Sequence, residues 1–289
     1  MAARLSVAKT YKLYIGGAFP RTESGRSIAI TDTSGKTITH VCHASRKDFR
    51  NAVVAARGAQ PGWMGRDAYN RSQILYRMGE MLEGKGEEFA QLIKRTTDAD
   101  LRAARKEVEA SVDRLVAYVG WADKFSQVLG CHNPVVGPYY NFTVPEATGV
   151  VVVIAPDEPS LLGLITLMAP ALCSGSTVVA LGSEKHPIAT SVLGEVCATS
   201  DVPGGVINLL TGQREELIEH IANHRDVNAV VGAGLSRKHA AALRMGASEN
   251  IKRVRIEDSV DFYDDEACES PWRIEPLVEM KTIWHPSAT

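Results

Sequence analysis

A chain of 289 residues with 45% hydrophobic content has enough apolar mass for a large core, either one large domain with an appendage or two modest ones. Its formal net charge of −2, with Lys and Arg scattered, supplies no basic field and argues against nucleic acid and acidic membranes as partners. The opening MAARLSVAKTYKLYIGG lacks a signal-peptide core, and no stretch approaches the ~20 apolar residues of a membrane span, so a soluble cytoplasmic protein is expected.

In chain order, the first ~40 residues read as short strands and turns, with YIGG (Tyr14 to Gly17) and TSGK (Thr33 to Lys36) as turn sequences. Ser45 is the expected N-cap of a helix through Phe49, Val53 and Ala56 that Gln60-Pro61-Gly62 should end. Helical periodicity then predicts one helix from about Arg71 to Lys94 and another from about Asp100 to Gln127. The Val-, Tyr- and Pro-rich run Cys131 to Gly149 reads as an extended, protruding hairpin.

From Val150 onward the pattern alternates regularly. Strands are predicted at VVVVIAP, Ser176 to Leu181, GVINLL, Asn228 to Gly232 and Lys252 to Glu257. Helices are predicted between them at Pro159 to Ser174, Ile188 to Thr199, Glu215 to Asn223 and Ser236 to Gly246. Short apolar strands alternating with helices define a doubly wound, Rossmann-like parallel sheet, an architecture that binds nucleotides at its strand ends. An acidic irregular segment and a last strand, Leu277 to Pro286, follow.

Five dispersed cysteines without C-x-x-C spacing (Cys42, Cys131, Cys173, Cys197, Cys268) suggest reduced, mostly buried thiols and no zinc site. His186, and the i,i+4 pair His220 and His224, read as surface histidines and not as metal ligands. The Tyr139, Tyr140 and Phe142 cluster in the hairpin could stack a ligand or pack against another protein surface.

No G-x-G-x-x-G is present, but PEATGVVVVIAPDEPSLLGLITLMAPALCSGSTVVALGSEKHP (Pro145 to Pro187) resembles a run of motifs in the cofactor domain of aldehyde dehydrogenases. DVPGGVINLLTG (Asp201 to Gly212), VVGAGLSRK (Val230 to Lys238) and NIKRVRIED (Asn250 to Asp258) resemble later motifs of the same family, in order and spacing. The similarity covers residues 12 to 258, and LVEMKTIWHP resembles the family's carboxyl-terminal strand. The chain is closest to the degenerate, cysteine-less second domain of two-domain aldehyde dehydrogenases.

What the resemblance implies is therefore divided. Residues 1–133 and 150–258 would form a cofactor-binding-like domain with N-terminal helices, residues 134–149 and 275–289 an oligomerisation arm, and residues 259–274 a linker in place of the catalytic domain. The nucleophile loop has no counterpart. Cys268, among Asp264, Asp265, Glu266 and Glu269, is expected to have a raised thiol pKa and no reactivity. Glu158 stands where the family places an oxyanion-stabilising Asn, and a carboxylate there repels an oxyanion.

Glu257 matches the family's general base and Glu184 its ribose-contacting acid, although a glutamate at a strand end or helix start is often simply a solvated charge. NAD or NADP would meet Glu184, Gly212, Gly232 and Ala233, with phosphate binding weakened because Leu181 and Ala233 replace a Lys and a Ser. No bound cofactor is expected. These features imply a non-catalytic subunit that pairs, through the arm, with a full-length NAD(P)-dependent aldehyde dehydrogenase. The alternatives are an oxidoreductase with residual or different chemistry, and a structural or sensing homo-oligomer that pairs with itself.

Overall fold

The computed structural model describes residues 8–287, so residues 1–7 and 288–289 of the expected domain ranges lie outside the described residues. Strands β1 (Thr10–Tyr11), β2 (Ser27–Thr31) and β3 (Thr37–Cys42) make a small sheet in the order β1-β3-β2. Helix α1 (Arg46–Met64) starts at the predicted Ser45, where the Ser45 and Asp48 side chains each accept the other's backbone N–H.

Three predicted helix boundaries are corrected. α1 does not stop at Gln60-Pro61-Gly62 but carries Pro61 inside it. Its last turn is tied from outside by the buried Trp63, whose indole N–H donates to the Leu172 carbonyl at 3.1 Å. The single helix expected over Arg71 to Lys94 is α2 (Ala68–Gly84) and α3 (Gly86–Thr96), broken at Lys85. Gly84 and Gly86 flank the break, and glycine weakens a helix by about 1 kcal/mol relative to alanine. The run Asp100 to Gln127 divides into α4 (Leu101–Trp121), capped by the Asp100 carboxylate at the Ala103 N–H (2.7 Å), and α5 (Phe125–Leu129).

After β4 (Cys131–Asn133) and β5 (Tyr139–Ala147), the α/β part runs β6 (Val150–Ile154), α6 (Leu162–Ser174), β7 (Thr177–Leu181), α7 (Ile188–Ala198) and β8 (Ile207–Leu210). It continues through α8 (Arg214–Asn223), β9 (Ala229–Ala233), α9 (Arg237–Ser248) and β10 (Arg253–Glu257). The five strands pair in parallel in the order β10-β9-β6-β7-β8. Strand order reverses at β6, so the switch point lies between β6 and β9. β6, β7 and all of α6 are buried, as a parallel sheet covered on both faces requires. α6 begins at Leu162, three residues later than predicted.

The segment expected to be a linker is instead a folded cover. It contains α10 (Asp265–Cys268) and a 3-10 turn, Pro271–Arg273; a second 3-10 turn, Glu275–Leu277, opens the range expected for the arm and completes the cover before β11 (Val278–Pro286). A row of α4 side chains holds it. Tyr118 donates to the Cys268 carbonyl at 2.9 Å and Trp121 to the Glu269 carbonyl at 2.8 Å. Arg114, with no exposed surface, donates to the Thr166 hydroxyl (2.6 Å), the Phe262 carbonyl (3.2 Å) and Asp265 (2.9 Å). β11 then pairs antiparallel with β5 from Val278↔Ala147 to Pro286↔Tyr139, giving an arm sheet ordered β11-β5-β4 that starts at Cys131, earlier than residue 134.

Removing Arg114 strands the Phe262 carbonyl and the Thr166 hydroxyl in the interior. The Asp265 and Glu269 side chains reach solvent, so their share of the loss is screened. Arg114→Ala is expected to lower stability by about 2–4 kcal/mol. Amide hydrogen exchange at residues 259–274 should accelerate well beyond that of the parallel sheet; uniform acceleration across the chain would contradict the anchoring described.

Candidate functional site

At the carboxyl ends of β6, β7 and β8 the chain's polar groups are bonded to one another. The Asp157 carboxylate accepts from the backbone N–H groups of Glu184 (3.0 Å) and Lys185 (3.3 Å) and pairs with Arg214 at 2.8 and 3.2 Å. Burial opposes ionisation of Asp157, but Arg214 and the turn amides outweigh it and lower its pKa. Arg214, 6% exposed, also donates to the Ala155 carbonyl at 2.8 Å, so its guanidinium spans the end of β6.

Each residue singled out from the sequence has a definite place here. Glu184 accepts the Arg214 N–H at the N-terminus of α8 (3.2 Å), where the helix dipole favours a carboxylate. Glu158 projects outward, its side chain 67% exposed, and its Oε1 lies 3.0 Å from His186 Nε2. That contact corrects His186: its side chain is only 14% exposed and faces a carboxylate. Gly212 packs against the Ala44 backbone, and a Cβ on Gly232 would lie 3.1 Å from Leu235. Ala233 is buried at the end of β9, and the turn beyond it needs Gly234, at φ +65°, which the motif reading passed over.

Glu257, at the end of β10, is 9% exposed and accepts from Arg273 at 2.9 and 2.8 Å and from Arg255 at 3.0 Å. Arg273 comes from the cover segment, so Glu257 anchors that segment to the sheet. Cys268 is buried, with its thiol 3.5 Å from the Asp261 carbonyl. Its pKa is raised by burial, against the pull of Arg114 and Arg273, and not by the acidic neighbours the sequence suggested. Burial likewise pushes the Cys173 and Cys197 thiols up to about 12.

Sequence reading missed Glu107. This residue lies on the inner face of α4, 7% exposed, and its Oε1 accepts from the N–H groups of Leu161 (2.7 Å) and Leu162 (3.3 Å) where α6 begins. It borders a cavity of about 420 Å3 with Asp98, Glu158, Ser160 and Tyr263. Burial raises the Glu107 pKa more than the two amides lower it. The available signal was two charges, Glu107 and Arg114, standing in the buried stripe of Ala104, Val108, Ser111 and Leu115.

The aldehyde dehydrogenase family profile matches residues 20–260, and the chain belongs to that family. It is 30% identical over 253 residues to aldehyde dehydrogenase family 2 member B4, mitochondrial, of Arabidopsis thaliana, covering 85% of this chain and 46% of that one. It is 30% identical to retinal dehydrogenase 2 of Gallus gallus, covering 86% and 48%. The structure of an NAD+ complex of the Bacillus cereus aldehyde dehydrogenase superposes with a TM-score of 0.82 at 27% identity, covering 86% of this chain and 51% of that one. The chain thus spans about half the length of the relatives it matches.

Because the folded-state pKa of Glu107 is raised, folding favours its protonated form: that stabilisation is present below the ordinary value of 4.5 and is lost as pH rises through the folded pKa. Glu107→Gln keeps an oxygen for the α6 amides and removes the titration. Thermal melts should show the variant losing less stability than the parent as pH rises from 4.5 to 7. Parallel pH profiles would show that the carboxyl does not titrate as described.

Proposed function

We propose that this chain is a non-catalytic aldehyde-dehydrogenase-family subunit that assembles with a full-length, NAD(P)-dependent family member. The observation that carries the reading is the path from β10 to β11. Glu257 and the arm strand are joined only by a short cover packed on α4, and Arg273 from that cover occupies the carboxylate that resemblance assigns to the general base. No cysteine in the cover is placed for attack, since Cys268 is buried with a raised pKa and the thiolate is the nucleophile.

The cofactor crevice supports the same reading. A dinucleotide whose ribose met Glu184 would compete with the Arg214 N–H at the α8 N-terminus, beside a strand end already closed by the Arg214–Asp157 pair. The residues present do not fit NAD or NADP in the family's manner, and Glu158 would oppose an oxyanion nearby. The arm, in contrast, is built for association: β11 is an edge strand, and Tyr139, Tyr140 and Trp284 are 45%, 49% and 59% exposed. Strand addition onto such an edge satisfies its free backbone groups and covers its aromatics.

The purified chain should reduce no NAD with an aldehyde and should give no saturable NAD titration. Co-expressed with a full-length family member, it should co-purify in a fixed ratio, and truncation after Leu277 should abolish that. Aldehyde-dependent NAD reduction by the homogeneous chain would establish the oxidoreductase alternative instead. A stable homo-oligomer that ignores the full-length member would establish self-assembly.

A further inference from the structure

Where the first turns of α1 meet the end of α8, Arg46, Lys47 and Arg50 face His220, Asn223 and His224 across a cleft of about 340 Å3. No carboxylate among the described residues lines it. Lys47 is paired with Glu23, but Arg46 and Arg50, exposed and on one face of α1, are in no ion pair among the described residues. Like charges set together without a counter-ion repel, so an anion between them relieves an existing cost.

The α8 side of the cleft is also arranged for an anion. His224 Nδ1 accepts the Asp226 N–H at 3.3 Å, which leaves the ring proton on Nε2 as a donor. The ring is half-buried and set edge-on against Phe49 at 5.6 Å. Of the carbonyls at the end of α8, which would repel an anion, those of Ile221 and Ala222 are taken by the Lys252 ammonium, as is that of the following His224. The Lys252 Nζ donates to Ile221, Ala222 and His224 at 2.9, 2.7 and 3.0 Å. Burial lowers Lys252 to about 8, which still leaves it mostly protonated at neutral pH.

We propose that this cleft binds the phosphate group of a small phosphorylated molecule. Two guanidinium forks, a side-chain amide and imidazole N–H groups exceed what the two oxygens of a carboxylate can accept, and they suit the three oxygens of a phosphate monoester. The volume is larger than one phosphate needs and lies at the small end of ligand sites, so a compact organic remainder fits beside it. The site shares no residue with the strand-end crevice and does not depend on the assembly proposed above.

Calorimetric titration of the full chain at low salt with inorganic phosphate and with ribose 5-phosphate should give saturable, one-to-one binding. Arg46→Ala/Arg50→Ala, with unchanged circular dichroism, should weaken it by about tenfold or more. His220→Gln should weaken it severalfold and serves as the readout if the double variant does not fold. The proposal is overturned if the parent chain shows no saturable binding, or if neither variant weakens it. It is overturned equally if binding survives Arg46→Ala/Arg50→Ala but is lost in Arg214→Ala, which would place the phosphate at the strand ends.

Discussion

A guanidinium with no exposed surface, that of Arg114, is the point where α4, α6 and the segment following β10 meet. A buried cation is tolerated only when its donors are taken. Here Thr166 lies on α6, while the Phe262 carbonyl, Asp265 and Glu269 all belong to the cover. The requirement to satisfy Arg114 therefore places the cover, and Tyr118 and Trp121 extend that placement along the same helix. The acids reach inward from the surface, so the arrangement keeps one charge dry and leaves its partners partly hydrated.

The cover in turn determines what Glu257 can do. Arg273 arrives at the end of β10 because residues 265–270 are tied to α4 and the turn at 275–277 packs on α6 and β10, and its guanidinium meets both carboxylate oxygens. A glutamate that would face solvent or substrate on a bare strand end becomes an anchor between sheet and cover. The same logic operates at β6, where Asp157 and Arg214 neutralise each other and the surrounding turn amides close on the carboxylate. In both places a carboxylate at or just beyond a strand end is bonded from within the chain.

The arm follows a different constraint. β5 is bracketed by β4 and β11, so its backbone is paired on both sides, while β11 presents one free edge along its length. The Tyr139 and Trp284 rings meet at 5.8 Å near the tip, where both stay exposed among the described residues. Exposed apolar rings beside an open strand edge are the features that make a surface prone to strand addition.

Much of this was legible in the residues. Short continuous apolar runs separated by helical stretches located every strand of the parallel sheet and the helices between them, because burial on both faces leaves those strands apolar throughout. Motif order marked the family, and the hairpin and last strand were recognisable from β-branched and aromatic content. Local rules failed at Pro61, Lys85 and the α4–α5 break. At Pro61 a tertiary bond from Trp63 outweighed the helix breaker, and at Lys85 flanking glycines outweighed periodicity. What only the tertiary structure decided was pairing: Arg273 with Glu257, Arg214 with Asp157, Glu107 with the start of α6, and the cover with α4. Residues far apart in the chain make these contacts, and a charge in a sequence carries no mark of the partner that burial will require it to find.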